Sequence, residues 1–302
     1  MKMRFFFITF LMFLFTLTYA EEENCDYHGH LIYEDLGCKP VTKDGHACPV
    51  EYKCNFEVKN NTCTFRGRSV QPYEKLTDDD TYAACIIGCY CQSTNKFECA
   101  ELDCPEWLGE SVTFGCYRKY ELGKCCSEGE ICPTESTPTA ECKTTGGKYV
   151  EGEKYYPANT CLECVCNKGY EGKNESPFCR KQMCAVEVDH SKEVHKYCAP
   201  HYDGTDSKAL CCPSGWVCPS NNDKVLPANP EATVSDLKCR YGDKILKLGE
   251  RIQGQYRAFD NSLNDSQCEC IVPPLMTCRD VPKITPTPTI TTPSLIIKHI
   301  PN

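Results

Sequence analysis

The chain has 302 residues, 28 of them cysteine, and carries a formal net charge of −9 from 33 basic and 42 acidic side chains. Cysteine at this density marks a disulfide scaffold, and a mean hydropathy of −0.46 argues against one large apolar core. The acidic balance argues against nucleic acid and anionic membrane surfaces as partners.

Residues 1–20 read as a secretory signal peptide. Lys2 and Arg4 supply the charged start, Phe5 to Leu17 the apolar run, and Thr18 and Ala20 the small residues three positions and one position before the cut at Glu21. A bilayer span needs about 20 apolar residues, so this run is too short, and no other stretch comes closer. The chain is therefore expected to be secreted and extracellular, with no membrane span. Without Lys2 and Arg4 the 33 basic residues fall to 31 against 42 acidic, a net charge of −11. All cysteines follow this segment and their number is even, as complete pairing in an oxidising compartment requires.

Residues 21–24 are an acidic stub, and 21–54 carry Cys25, Cys38, Cys48 and Cys54. A ten-cysteine unit follows at 63–132: Cys63, Cys85, Cys89, Cys91, Cys99, Cys104, Cys116, Cys125, Cys126 and Cys132. A Pro/Thr linker (133–141) leads to a second unit at 142–218, with Cys142, Cys161, Cys164, Cys166, Cys179, Cys184, Cys198, Cys211, Cys212 and Cys218. A polar linker (219–238) precedes the last unit, 239–278, with Cys239, Cys268, Cys270 and Cys278. The Thr/Pro-rich stretch 279–302 reads as a disordered tail suited to O-glycosylation. Elements should be short antiparallel strands, as in Lys148–Tyr156, and no convincing amphipathic helix is present.

The units repeat at roughly 80 residues. Cys25 and Cys38 enclose 12 residues, against 11 for Cys104 and Cys116 and 13 for Cys184 and Cys198. Cys48-x5-Cys54 recurs as Cys126-x5-Cys132 and Cys212-x5-Cys218. The first unit thus reads as a back half and the last as a front half, with two full units between.

The CxxCxC of Cys161, Cys164 and Cys166, followed by the CCx5C of Cys211, Cys212 and Cys218, resembles the von Willebrand factor type C module. Gly146, Gly147, Tyr149, Gly152, Tyr155 and Tyr156 fit its texture, although the family usually has tryptophan at the position of Tyr156. The 63–132 unit departs by one residue inserted at Ile86-Ile87-Gly88. The resemblance implies a small disulfide-rich, mainly β fold of tandem modules without a common core, strung out as an elongated array. It also implies a pairing: Cys63–Cys91, Cys85–Cys125, Cys89–Cys99, Cys104–Cys126 and Cys116–Cys132. In the next unit it implies Cys142–Cys166, Cys161–Cys211, Cys164–Cys179, Cys184–Cys212 and Cys198–Cys218. The half units would pair Cys25–Cys48, Cys38–Cys54, Cys239–Cys270 and Cys268–Cys278. Only the bonds Cys85–Cys125 and Cys161–Cys211 join front to back halves. Ala47 and Asp265 stand where each half unit would otherwise carry an unmatched partner for that bond.

Catalysis needs a nucleophile or acid held beside a base in a pocket. No GxSxG, HExxH or paired-carboxylate pattern occurs, so no enzyme, cofactor or metal is expected. Cys161-x2-Cys164 has zinc spacing, but no second CxxC or HxxxH accompanies it. His190 and His195 flank a charged loop expected to be exposed. Asn60, Asn264 and Asn174 head N-glycosylation sequons, Asn174 the poorest because Pro177 follows Ser176.

Proteins with such modules bind growth factors of the BMP/TGF-β family or act in matrix assembly. The resemblance implies an extracellular protein ligand, met by the segment ahead of a module's first cysteine and by the front-half sheet. A different class is a protease inhibitor, with Lys119 or Lys192 as the inserted side chain. A third is a matrix, mucus or host-defence structural protein.

Overall fold

The computed structural model describes residues 24–57, 60–134, 139–204, 208–228, 235–257 and 261–281. The expected signal peptide, linker residues 135–138 and nearly all of the tail lie outside them. Of the described residues 37% are strand and 10% helix. They form eight sheets, six of which have only two strands.

The repeat is written in the hydrogen-bond register. Three front hairpins pair a first cysteine with the seventh residue after it: Cys63 with Val70, Cys142 with Tyr149, Cys239 with Leu246. Three back hairpins pair the residue after one cysteine with the residue before another: Lys39 with Lys53, Tyr117 with Ile131, Ala199 with Val217. A shared turn follows each front hairpin. Gly152 donates to Cys166 O at 2.7 Å and Gly249 to Cys270 O at 2.8 Å, both with φ near +80°. In the 63–132 unit Tyr73 makes the same bond to Cys91 O at 2.7 Å, with φ +64°. A left-handed residue that is not glycine is a costly choice, and the shared geometry shows that the turn itself demands it.

All 28 cysteines are paired. The bonds are Cys25–Cys48, Cys38–Cys54, Cys63–Cys91, Cys85–Cys125, Cys89–Cys99, Cys104–Cys126 and Cys116–Cys132. The others are Cys142–Cys166, Cys161–Cys211, Cys164–Cys179, Cys184–Cys212, Cys198–Cys218, Cys239–Cys270 and Cys268–Cys278. These are the partners that the module resemblance implies. No single core unites the units. Buried apolar residues fall into five small clusters in which cysteines are prominent, so bridges substitute for apolar volume.

The units nevertheless do not run end to end. Ile32, Tyr33 and Leu36 of the first pack with Val186 and Val194 of the 142–218 unit and with Val272 and Leu275 of the last. The Tyr33 hydroxyl donates to Val272 O at 2.5 Å and accepts from the Leu275 N–H at 3.2 Å. Tyr52 N–H reaches Pro273 O at 2.9 Å. The first and last units of the chain therefore meet, and the expected strung-out array is replaced by one folded back on itself. Apolar residues too few for a core within one half unit are buried by docking that half on its neighbours.

Buried acidic side chains fix the docking. Asp26 accepts from Cys161 N at 2.8 Å and from Lys181 Nζ at 2.6 Å. Asp35 accepts from Cys184 N at 3.2 Å and Val186 N at 2.8 Å. Glu187 accepts from Arg66 N. Gly37 lies so close to Arg66 that a Cβ there would come within 2.8 Å of its carbonyl oxygen. The largest sheet crosses the other seam. Its order is Gly215–Val217, Ala199–Tyr202, Thr277–Asp280, Leu263–Glu269, Arg251–Arg257, Lys224–Leu226. Ala199–Tyr202 and Thr277–Asp280 run parallel and join the 142–218 unit to the last. Lys224–Leu226, inside the stretch read as a linker, is an edge strand of that sheet, and Thr277–Asp280 carries order past Cys278.

Candidate interaction surface

The loop between the first two cysteines of a back half occurs three times, and its three copies meet different fates. Between Cys25 and Cys38 it forms the helix Leu31–Asp35, with Leu31, Ile32, Tyr33 and Leu36 buried. Between Cys184 and Cys198 it forms the helices Val186–Asp189 and Ser191–His195, with Val186, Val188 and Val194 buried. Helices this short are unstable alone, and each exists because its apolar side packs on the other loop or on a front hairpin. The 184–198 loop, expected to be exposed, is therefore a packing element. Its histidines follow suit: His195 Nδ1 lies 3.2 Å from Phe56 O, and His190 lies against the Trp216 ring.

The third copy, between Cys104 and Cys116, has no such cover. Trp107 is 60% exposed, Leu108 75%, and Phe114 fully so. Scattered exposed apolar residues are ordinary, but several large ones in one short loop mark an interaction site. The loop is also held in shape. Glu106 accepts from the backbone and hydroxyl of Ser127 at 2.9 and 3.2 Å, Glu130 accepts from Thr113 N at 3.1 Å, and Arg118 donates to Glu110 O. The bonds Cys104–Cys126 and Cys116–Cys132 tie down its ends. Such a loop presents its side chains with little ordering left to lose on binding.

The segments ahead of the first cysteines are pinned to their own front halves. Asn61 N donates to Thr94 Oγ1 at 2.9 Å, Glu151 N to Ala140 O at 2.9 Å, and Leu248 N to Leu237 O at 3.2 Å. Lys119 lies in the strand Tyr117–Lys119, 3.6 Å from Glu121 and packed against Gly152. Lys192 sits in a helical turn, accepting from Lys196 N at 3.1 Å. Neither lysine stands on a free extended loop. Asn60 and Asn264 are exposed. Asn174 Oδ1 instead accepts from Tyr155 and Tyr170 hydroxyls at 3.2 and 3.0 Å, so its amide is the least available of the three.

Trp107, Leu108 and Phe114 carry no sequence signal of their own. An isolated aromatic reads the same whether it is core or surface, and only the comparison of the three loop copies separates them. Among the described residues, no helix is long and apolar enough to cross a membrane. No family model matches the chain, and a search of solved structures finds no match.

Proposed function

We propose that the chain is a secreted, extracellular protein-binding array whose type C-like modules engage growth factors of the BMP/TGF-β family. The observation that carries this reading is the Cys104–Cys116 loop, where Trp107, Leu108 and Phe114 stand uncovered on a rigid frame while both sister loops are buried. The disulfide density suits an oxidising, extracellular setting. Large aromatics at the centre of an interface are the side chains that most often dominate binding. Measuring binding of the mature protein to an immobilised BMP-type dimer by surface plasmon resonance tests it. W107A/F114A is expected to weaken binding at least about tenfold without lowering the melting temperature, because both side chains are exposed. Absence of binding to any ligand of this family, or equal binding by the double variant, overturns the reading.

A further inference from the structure

His201 lies where the 142–218 unit meets the last one, on the strand Ala199–Tyr202 paired to Thr277–Asp280. Its ring is wholly buried and stacked on Tyr256, with centroids 3.7 Å apart and an interplanar angle of 22°. Asp203 Oδ1 lies 3.7 Å from Nδ1 and Asp280 Oδ1 lies 3.3 Å from Nε2, while both carboxylates keep about half their exposure.

The Ser214 hydroxyl has one hydrogen and donates it to His201 O at 3.2 Å. Its oxygen lies 3.4 Å from Nδ1. Nε2 is buried and without a hydrogen-bond partner, facing the Asp280 carboxylate. The Tyr256 hydroxyl is shared between Asp203 Oδ1 at 3.5 Å and Asp280 Oδ1 at 3.3 Å, and its one proton satisfies only one of them. Two carboxylates and a ring nitrogen without a hydrogen-bond partner thus converge.

We propose that His201, Asp203 and Asp280 form a binding site for a divalent cation of the zinc type that clamps this seam. One ligand atom from each residue lies within 4.8 Å of the others, and tetrahedral zinc needs about 3.3 Å between ligand atoms at its usual bond lengths. The half-exposed aspartates can close that difference by rotating. One imidazole and two carboxylates leave a fourth position for water or for an acidic group of a partner. Supporting contacts of the kind such sites need are present: Ser214 orients the imidazole, and Gly204 N holds Asp280 Oδ2 at 3.0 Å.

Calorimetric titration of the EDTA-stripped, dialysed mature chain with zinc chloride tests this. One zinc per chain is expected, with affinity falling at least about tenfold in D203N and in D280N. Zinc should raise the melting temperature of the wild type and leave both variants where they are, while all three metal-free proteins melt together. The Asp→Asn changes conserve shape at half-exposed side chains, so a folding defect is not expected to obscure the result. No zinc uptake overturns the proposal. So does uptake that is undiminished in D203N and D280N, which would place the metal elsewhere, for instance at the cleft lined by His28, His30 and His46.

Discussion

Glu187 shows how a single buried group ties packing to pH. Its carboxyl is 3% exposed, and desolvation pushes its pKa from the ordinary carboxylate value up to about 8, against the opposing pull of the Arg66 N–H. The native state thus holds a proton that the unfolded chain releases near 4.5. Stability from this group is fully present below that pH and is lost as pH rises through about 8. His30 works in the other direction. Burial lowers its pKa to about 4, so its contribution is present above the ordinary histidine value and is lost as pH falls through about 4. Comparing E187Q with the wild type isolates the first effect. Chemical denaturation should show little difference at pH 5 and an advantage for E187Q approaching roughly 5 kcal/mol above pH 8. An advantage that does not grow with pH would show that Glu187 is not a buried, proton-holding group.

At the scale of elements, covalent and polar ties share the work of joining half units. Cys161–Cys211 is the bond between front and back of the 142–218 unit and closes a separation of 50 residues, worth about 4 kcal/mol in the chain-entropy model. Asp26 spans the same junction without a bond: its carboxylate holds Cys161 N and Lys181, and its carbonyl accepts from Leu210 N at 2.7 Å. In C161S/C211S, peptide mapping should still find Cys142–Cys166, Cys164–Cys179, Cys184–Cys212 and Cys198–Cys218, and the loss of stability should fall short of the chain-entropy value. Adding D26A should cost more in that background than in the wild type, because each tie covers for the other. Strictly additive costs would show that the two ties act independently. The hairpins and cysteine spacings at this scale were legible, since alternation and spacing are local and recur in every unit. The helices of the 25–38 and 184–198 loops were not. Four or five residues hold no helical period, and Leu31, Ile32 and Val186 pack on residues distant in sequence, many of them more than a hundred positions away. The strand Lys224–Leu226 was hidden for the same reason, since its partner is Arg251–Arg257.

For the whole molecule, docking decides which surfaces remain for function. Folding the chain back buries two of the three equivalent loops and leaves the third, with Trp107 and Phe114, facing solvent. The same docking brings Asp280 of the last unit to His201 of the preceding one. Neither site could be read from the sequence, because each depends on how units pack and not on any motif within one. Hydrogen exchange on the mature protein, followed by mass spectrometry after quenched reduction, tests this arrangement most directly. Slow exchange is predicted for Tyr52 and Leu275, whose N–H groups bridge the first and last units. Leu36 and Val194 should also be slow, while Trp107 to Phe114 exchanges faster than either sister loop. Fast exchange at Tyr52 and Leu275 together with Leu36, or equal protection of all three loops, would contradict the folded-back array.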